Sequence, residues 1–167
     1  MTTEIKAHPL LAAALLATLP VMAPAAMLSV SAERANIRSG PGTQYKILWN
    51  LDKYEPLRTV NKSGSWYEVR DFEDEVGWIH EGLLTDTPSV VVKAKAANIR
   101  SGPGMDNDIL WEVGLGYLFQ VDAVDGRWVG VSDGDEIEGW IHRSLVWGSL
   151  RLEEKEDGDQ LDDRIRS

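Results

Sequence analysis

Ala35-Asn36-Ile37-Arg38-Ser39-Gly40-Pro41-Gly42 returns residue for residue as Ala97-Asn98-Ile99-Arg100-Ser101-Gly102-Pro103-Gly104, 62 positions further along the chain. The same offset carries Ile47-Leu48-Trp49 onto Ile109-Leu110-Trp111, and Gly64 and Trp66 onto Gly126 and Trp128. It also carries Gly77-Trp78-Ile79-His80 onto Gly139-Trp140-Ile141-His142, and Leu83 onto Leu145. A fixed period sustained without a gap marks two copies of one structural unit. Six of the seven tryptophans fall into three repeat pairs, and Trp147 alone stands outside them.

Each copy reads as short strands, in the first at residues 27–33, 47–51, 56–61, 66–71 and 75–80. These runs are rich in β-branched and aromatic side chains and are separated by turn residues. Gly40-Pro41-Gly42 suits a type II turn, with proline fixing φ at its second position and glycine supplying positive φ at its third. Ser63-Gly64 and Asp125-Gly126 read as hairpin tips. Between Ala35 and Trp147 no stretch has helical periodicity of useful length, and a closing 3₁₀ turn is expected at residues 81–84 and 143–146. The expectation is an all-β chain of two tandem small β-barrels, each of about five short strands and partly open. The linker Thr85-Asp86-Thr87-Pro88 is brief and contains proline, which keeps the two units close.

The chain has 167 residues, enough for one ordinary domain or two small ones. Acidic residues outnumber basic ones 27 to 17, a net charge of -10. Sequence-independent binding to nucleic acid needs a basic surface, so that class is excluded. With no cysteine, disulfides, thiolate metal sites and a catalytic thiol are excluded as well. Residues 9–30 carry no charge, and Ala23-Pro24-Ala25 offers small residues for cleavage. Residues 1–25 therefore read as a secretory signal peptide, despite Glu4 offsetting Lys6. An uncleaved anchor is the alternative, and only then would the chain meet a membrane. The divisions are residues 1–25 as signal peptide, 26–88 and 89–148 as the two barrels, and 149–167 as an acidic flexible tail. The protein is expected to be exported, to the periplasm or the extracellular envelope.

The ordered set Asn-Ile-Arg-Ser-Gly-Pro-Gly, a hydrophobic strand, Gly-x-Trp, then Gly-Trp-Ile and a Leu resembles the bacterial SH3 (SH3b) domain, twice over. The resemblance implies SH3-like β-barrels in a protein of the cell envelope. It further implies binding to peptidoglycan or its peptide stems, or positioning of a neighbouring cell-wall hydrolase.

Candidate ligand-binding residues are Trp66 and Trp128, which follow the hairpin tip, together with Tyr67, Arg38 and Arg100. Indoles favour interfaces where one end stays wet. Against a ligand role, Arg38 and Arg100 are expected to pair with an acid of the same barrel. Trp78 and Trp140 are expected to fill the cores, and core packing is also expected for Trp49 and Trp111. Asn36 and Asn98 read as hydrogen-bonding residues of the turn. His80 and His142 read as structural residues at strand ends, with no nucleophile identified beside them. No metal site and no cofactor is expected. The resulting expectation is a non-catalytic tandem SH3b protein, not an enzyme, whose partner is peptidoglycan or its peptide. A periplasmic protein–protein adaptor is the alternative, and an envelope hydrolase ranks last.

Overall fold

The computed structural model describes residues 25–152. The signal peptide read over 1–25 and the tail read over 149–167 lie, but for their inner ends, outside the described residues. The first copy contains β1 (Met27–Val30), β2 (Arg34–Arg38), β3 (Ile47–Asp52), β4 (Pro56–Ser63), β5 (Trp66–Arg70), β6 (Val76–His80) and β7 (Leu84–Thr85). The second contains β8 (Ser89–Val92), β9 (Ala96–Arg100), β10 (Ile109–Gly114), β11 (Leu118–Asp125), β12 (Trp128–Ser132), β13 (Glu138–His142) and β14 (Val146–Gly148). A 3₁₀ turn, Glu81–Leu83 or Arg143–Leu145, precedes the last strand of each.

The described residues are therefore all-β, with two seven-stranded sheets in the matching orders β3-β2-β6-β5-β4-β1-β7 and β10-β9-β13-β12-β11-β8-β14. Seven strands per copy replace the expected five. The additional ones are the repeated Ala-Asn-Ile-Arg segment, which is strand rather than turn, and the short closing strand. In each sheet the pairings leave the first and last strands of that order as edges, β3 with β7 and β10 with β14. The Gly-Pro-Gly segment is not a type II turn, because Gly42 does not take positive φ. Instead Gly40 and Gly42 admit close approach: a Cβ at Gly40 would stand 2.5 Å from the Tyr45 ring. The hairpin tips do use positive φ, at Gly64 (56°) and Gly126 (54°).

Strand alternation sorts the side chains. Val30, Ala35, Ile37, Leu51, Leu57, Val69 and Ile79 form the first core. Their counterparts at the 62-residue offset are Val92, Ala97, Ile99, Val113, Phe119, Val131 and Ile141, all within the second core. Trp78 and Trp140 are not among these residues. They sit half-buried on the opposite face, paired across the sheet with Arg38 and Arg100, because Ile79 and Ile141 beside them take the inward positions. Trp49 packs partly against its core and reaches over Gly77. Trp111 does not follow it and is 41% exposed.

The repeats touch. The Val121 amide donates to the Pro88 carbonyl at 2.9 Å, while within the first unit Ser29 Oγ fixes the linker by donating to the Thr87 carbonyl at 2.7 Å. All of β8 is buried, Val90 and Val92 inward and Val91 on the other face, where β8 packs beside β4. Trp147 pairs with Val91 and lies under the Arg58 guanidinium, 6.0 Å from its ring centre. The unrepeated tryptophan thus belongs to the junction.

Glu55 is the titrating weak point of the fold. Burial, then the carboxylates of Asp71, Asp52 and Glu73, push its carboxyl up to about 7 from 4.5. A raised carboxyl pKa means the folded chain holds the proton more tightly than the unfolded one. Stability is then greatest below the unfolded value, falls as pH rises through that window, and stays lower above it. Glu55→Gln should raise the thermal midpoint by roughly 2–4 °C at pH 8 and leave it unchanged at pH 4. Calorimetry of both chains at the two pH values checks this.

Candidate functional site

The outward positions of β2, β5 and β6 converge. Asn36 and Arg38 on β2 and His80 on β6 all point away from the core, because the residues between them, Ile37 and Ile79, are fully buried. Trp66 opens β5 directly opposite His80. Its indole meets the imidazole edge-on, with ring centres 5.3 Å apart at 84°. Together with Thr43 and Leu83 these residues line a cavity of about 260 Å³.

The second copy repeats the arrangement. Asn98, Arg100, Met105, Trp128, His142 and Leu145 occupy the same places and, with Ala96, Ala97 and Glu112, line a cavity of about 230 Å³. Trp128 and His142 again stack edge-on, at 5.4 Å and 86°. The groove is thus duplicated down to its ring geometry.

Each groove is held by a few polar contacts. Arg38 Nη1 donates to the carbonyls of Thr43 and Tyr45, at 3.0 and 2.9 Å. Arg100 Nη1 donates to those of Met105 and Asn107, at 3.0 and 2.8 Å. The expected pairing with a carboxylate is thus replaced by two loop carbonyls. These lie nearer, because the loop after the strand folds back over the arginine. One Nη per guanidinium fastens the loop, and the remaining N–H groups are available to an anion. His80 Nδ1 accepts from the Gly82 amide at 3.1 Å and so caps the 3₁₀ turn. His142 does the same with Ser144, whose hydroxyl lies 2.7 Å from Nδ1. In the neutral ring the proton then sits on Nε2, which leaves a donor there.

The sequence-derived candidates divide. Trp66 with Arg38, and Trp128 with Arg100, are brought together in the two grooves. Tyr67 is not: it lies on the inward side of β5 with Val69, packs against the first core, and has the Lys62 ammonium 4.6 Å from its ring centre. Its counterpart Val129 is fully buried. Asn36, Asn98, His80 and His142, expected in structural places, line the grooves as well. The signal for them was present, since each sits two residues from a groove residue on the same strand or directly opposite one.

A larger cavity of about 680 Å³ lies between the repeats. It is lined by Glu33, Asp52, Lys53, Tyr54, Tyr117, Asp133 and Asp135, among others. Two pairs of its polar groups are engaged with one another. Lys53 bridges to Glu33 at 2.7 Å, and the Tyr117 hydroxyl donates to Asp133 at 2.8 Å. Burial and that Asp133 contact hold the Tyr117 hydroxyl up at about 12. The duplicated grooves, with free donors beside an indole, are better suited to a ligand.

A sequence profile of the bacterial SH3 domain matches residues 31–86 and 93–148. A Bacillus subtilis protein, YrvJ, whose name proposes it as an N-acetylmuramoyl-L-alanine amidase, is 23% identical over 80% of this chain and 28% of its own length. A Staphylococcus aureus protein, LytH, whose name proposes it as a cell wall amidase, is 32% identical over 42% of this chain and 24% of its own. The chain thus spans about a quarter of the length of these curated relatives. The solved structure of an NlpC/P60 family protein from Bacillus cereus ATCC 10987 overlays with a TM-score of 0.37 at 15% identity, over 73% of this chain and 56% of that one.

The expectation that the protein is not an enzyme is corrected by these relatives, whose names are those of amidases. That expectation rested on the missing nucleophile and base. Such an argument reaches only the residues of this stretch, whereas the matched relatives are several times longer.

If Arg100 fastens its loop, Arg100→Ala should speed amide exchange across residues 101–108 by about ten-fold, the loss of a charge-assisted hydrogen bond. Exchange across 39–46 should not change. Hydrogen–deuterium exchange read by mass spectrometry measures both segments in one experiment.

Proposed function

Because the chain belongs to the bacterial SH3 domain family, with copies at residues 31–86 and 93–148, we propose that it is an exported cell-envelope protein that takes hold of peptidoglycan in the course of cell-wall hydrolysis. The observation that carries this reading is the duplicated groove, with an indole, an imidazole and a guanidinium in the same places twice. The names of the amidase relatives supply the wall as the setting.

In this reading each sheet wraps as a small SH3-like barrel, over residues 26–88 and 89–148, behind a signal peptide at 1–25. The indole face of Trp66 or Trp128 gives apolar contact to a peptide stem or sugar. Arg38 or Arg100 turns its spare N–H groups to a ligand carboxylate, a charge-assisted bond. His80 or His142 offers Nε2–H from the same wall of the groove. Single shallow grooves bind weakly, and two on one chain gain avidity against a polymer that repeats its epitope.

The test is co-sedimentation of residues 26–167 with peptidoglycan sacculi, with the soluble fragments released followed in the same tubes. The native chain should pellet. Trp66→Ala and Trp128→Ala should each reduce the bound fraction, and the double variant should abolish it while keeping the native far-ultraviolet spectrum. A chain that stays in the supernatant at low and moderate salt contradicts the proposal.

A further inference from the structure

The two grooves match in shape but not in charge. At the 62-residue offset, Arg34, Thr43 and Asn50 of the first copy become Ala96, Met105 and Glu112 of the second. In the first copy Arg34 Nη2 donates to Asn50 Oδ1 at 3.1 Å, and Asn50 Nδ2 in turn donates to Asn36 Oδ1. That chain of bonds places a second cation beside the Arg38 groove, and no carboxylate lines the cavity. In the second copy the arginine is gone. Glu112, directly across the strand pair from Asn98, enters the cavity wall together with Arg100. Glu112 has no ion-pair partner among the described residues.

The second groove is thus bipolar, with the unpaired Glu112 carboxylate and the Arg100 guanidinium both in its wall. The first presents cations without a carboxylate. We infer that Glu112 is a specificity determinant that makes the second groove select peptides carrying both a free ammonium and a free carboxylate, while the first groove reads the carboxylate alone. This rests on the peptidoglycan-peptide reading above and divides its ligand chemistry between the copies. An ammonium facing Glu112 gains a partly screened ion pair, whereas in the first groove it faces Arg34 and is repelled.

The probe is the tripeptide Nα-acetyl-lysyl-D-alanyl-D-alanine, with its free side-chain amine and terminal carboxylate, compared with the same peptide acetylated on that amine. Each is titrated into ¹⁵N-labelled residues 26–167, and the indole N–H signals of Trp66 and Trp128 report their own grooves. Trp128 should shift with the free-amine peptide at about two- to five-fold lower concentration than with the acetylated one, the size of a surface ion pair. The difference should vanish at high salt. Trp66 should show no such preference for the amine. Glu112→Asn, which installs the residue the first copy already tolerates, should remove the Trp128 preference without disturbing the fold. Equal response of Trp128 to the two peptides, or a preference that survives Glu112→Asn, overturns the assignment and leaves wall binding standing. Silence of both indoles with both peptides overturns the peptide reading itself.

Discussion

The whole arrangement hangs on one close approach, that of β6 onto β2. Only a single residue pair joins these strands in each sheet, Arg38 with Trp78 and Arg100 with Trp140. They come so near that a Cβ on Gly77 would lie 2.2 Å from the Ile37 side chain, and one on Gly139 would lie 2.6 Å from the Arg100 carbonyl. Glycine at these two places lets Ile37 and Ile79, or Ile99 and Ile141, share one core. With those side chains turned inward, the pleat leaves Asn36, Arg38 and His80 no direction but outward. The seam that completes the sheet therefore also assembles the groove from β2, β5 and β6.

Much of this was legible in the sequence because the chain states everything twice. The 62-residue offset exposed the two units, the tryptophan pairs and the turn glycines, and the family followed from the ordered motifs. Two things were hidden. The Ala-Asn-Ile-Arg run is too short and too close to Gly-Pro-Gly to announce itself as a strand, so β2 is hidden and its asparagine reads as part of the turn. The inward or outward sense of Trp78 was also hidden, because in Gly-Trp-Ile-His both Trp and Ile are apolar, and only the pairing register decides which one is buried. The same ambiguity placed Tyr67 beside Trp66 in the proposed site. Neighbours on a strand face opposite ways, so a groove containing Trp66 cannot also contain Tyr67.

The two copies keep their cores nearly unchanged and vary at the groove rim. Every member of the first core has an apolar partner in the second, with Leu57 becoming Phe119 as the largest change in volume. At the rim, by contrast, Arg34 gives way to Ala96, Asn50 to Glu112 and Thr43 to Met105. Exposed positions tolerate such changes at little cost to stability, so the fold places no barrier against the two grooves reading different features of one ligand. The Arg58–Trp147 contact and the Val121–Pro88 hydrogen bond hold the copies side by side, so both grooves belong to one packed body.

The central claim is that the paired grooves are where the wall is held. Hydrogen–deuterium exchange of residues 26–167, with and without solubilised peptidoglycan fragments, tests it most directly. The account predicts slowed exchange at residues 36–43 and 80–83 and at their counterparts 98–105 and 142–145. Protection confined to the junction around Tyr54 and Tyr117, or no protection at all, would contradict it.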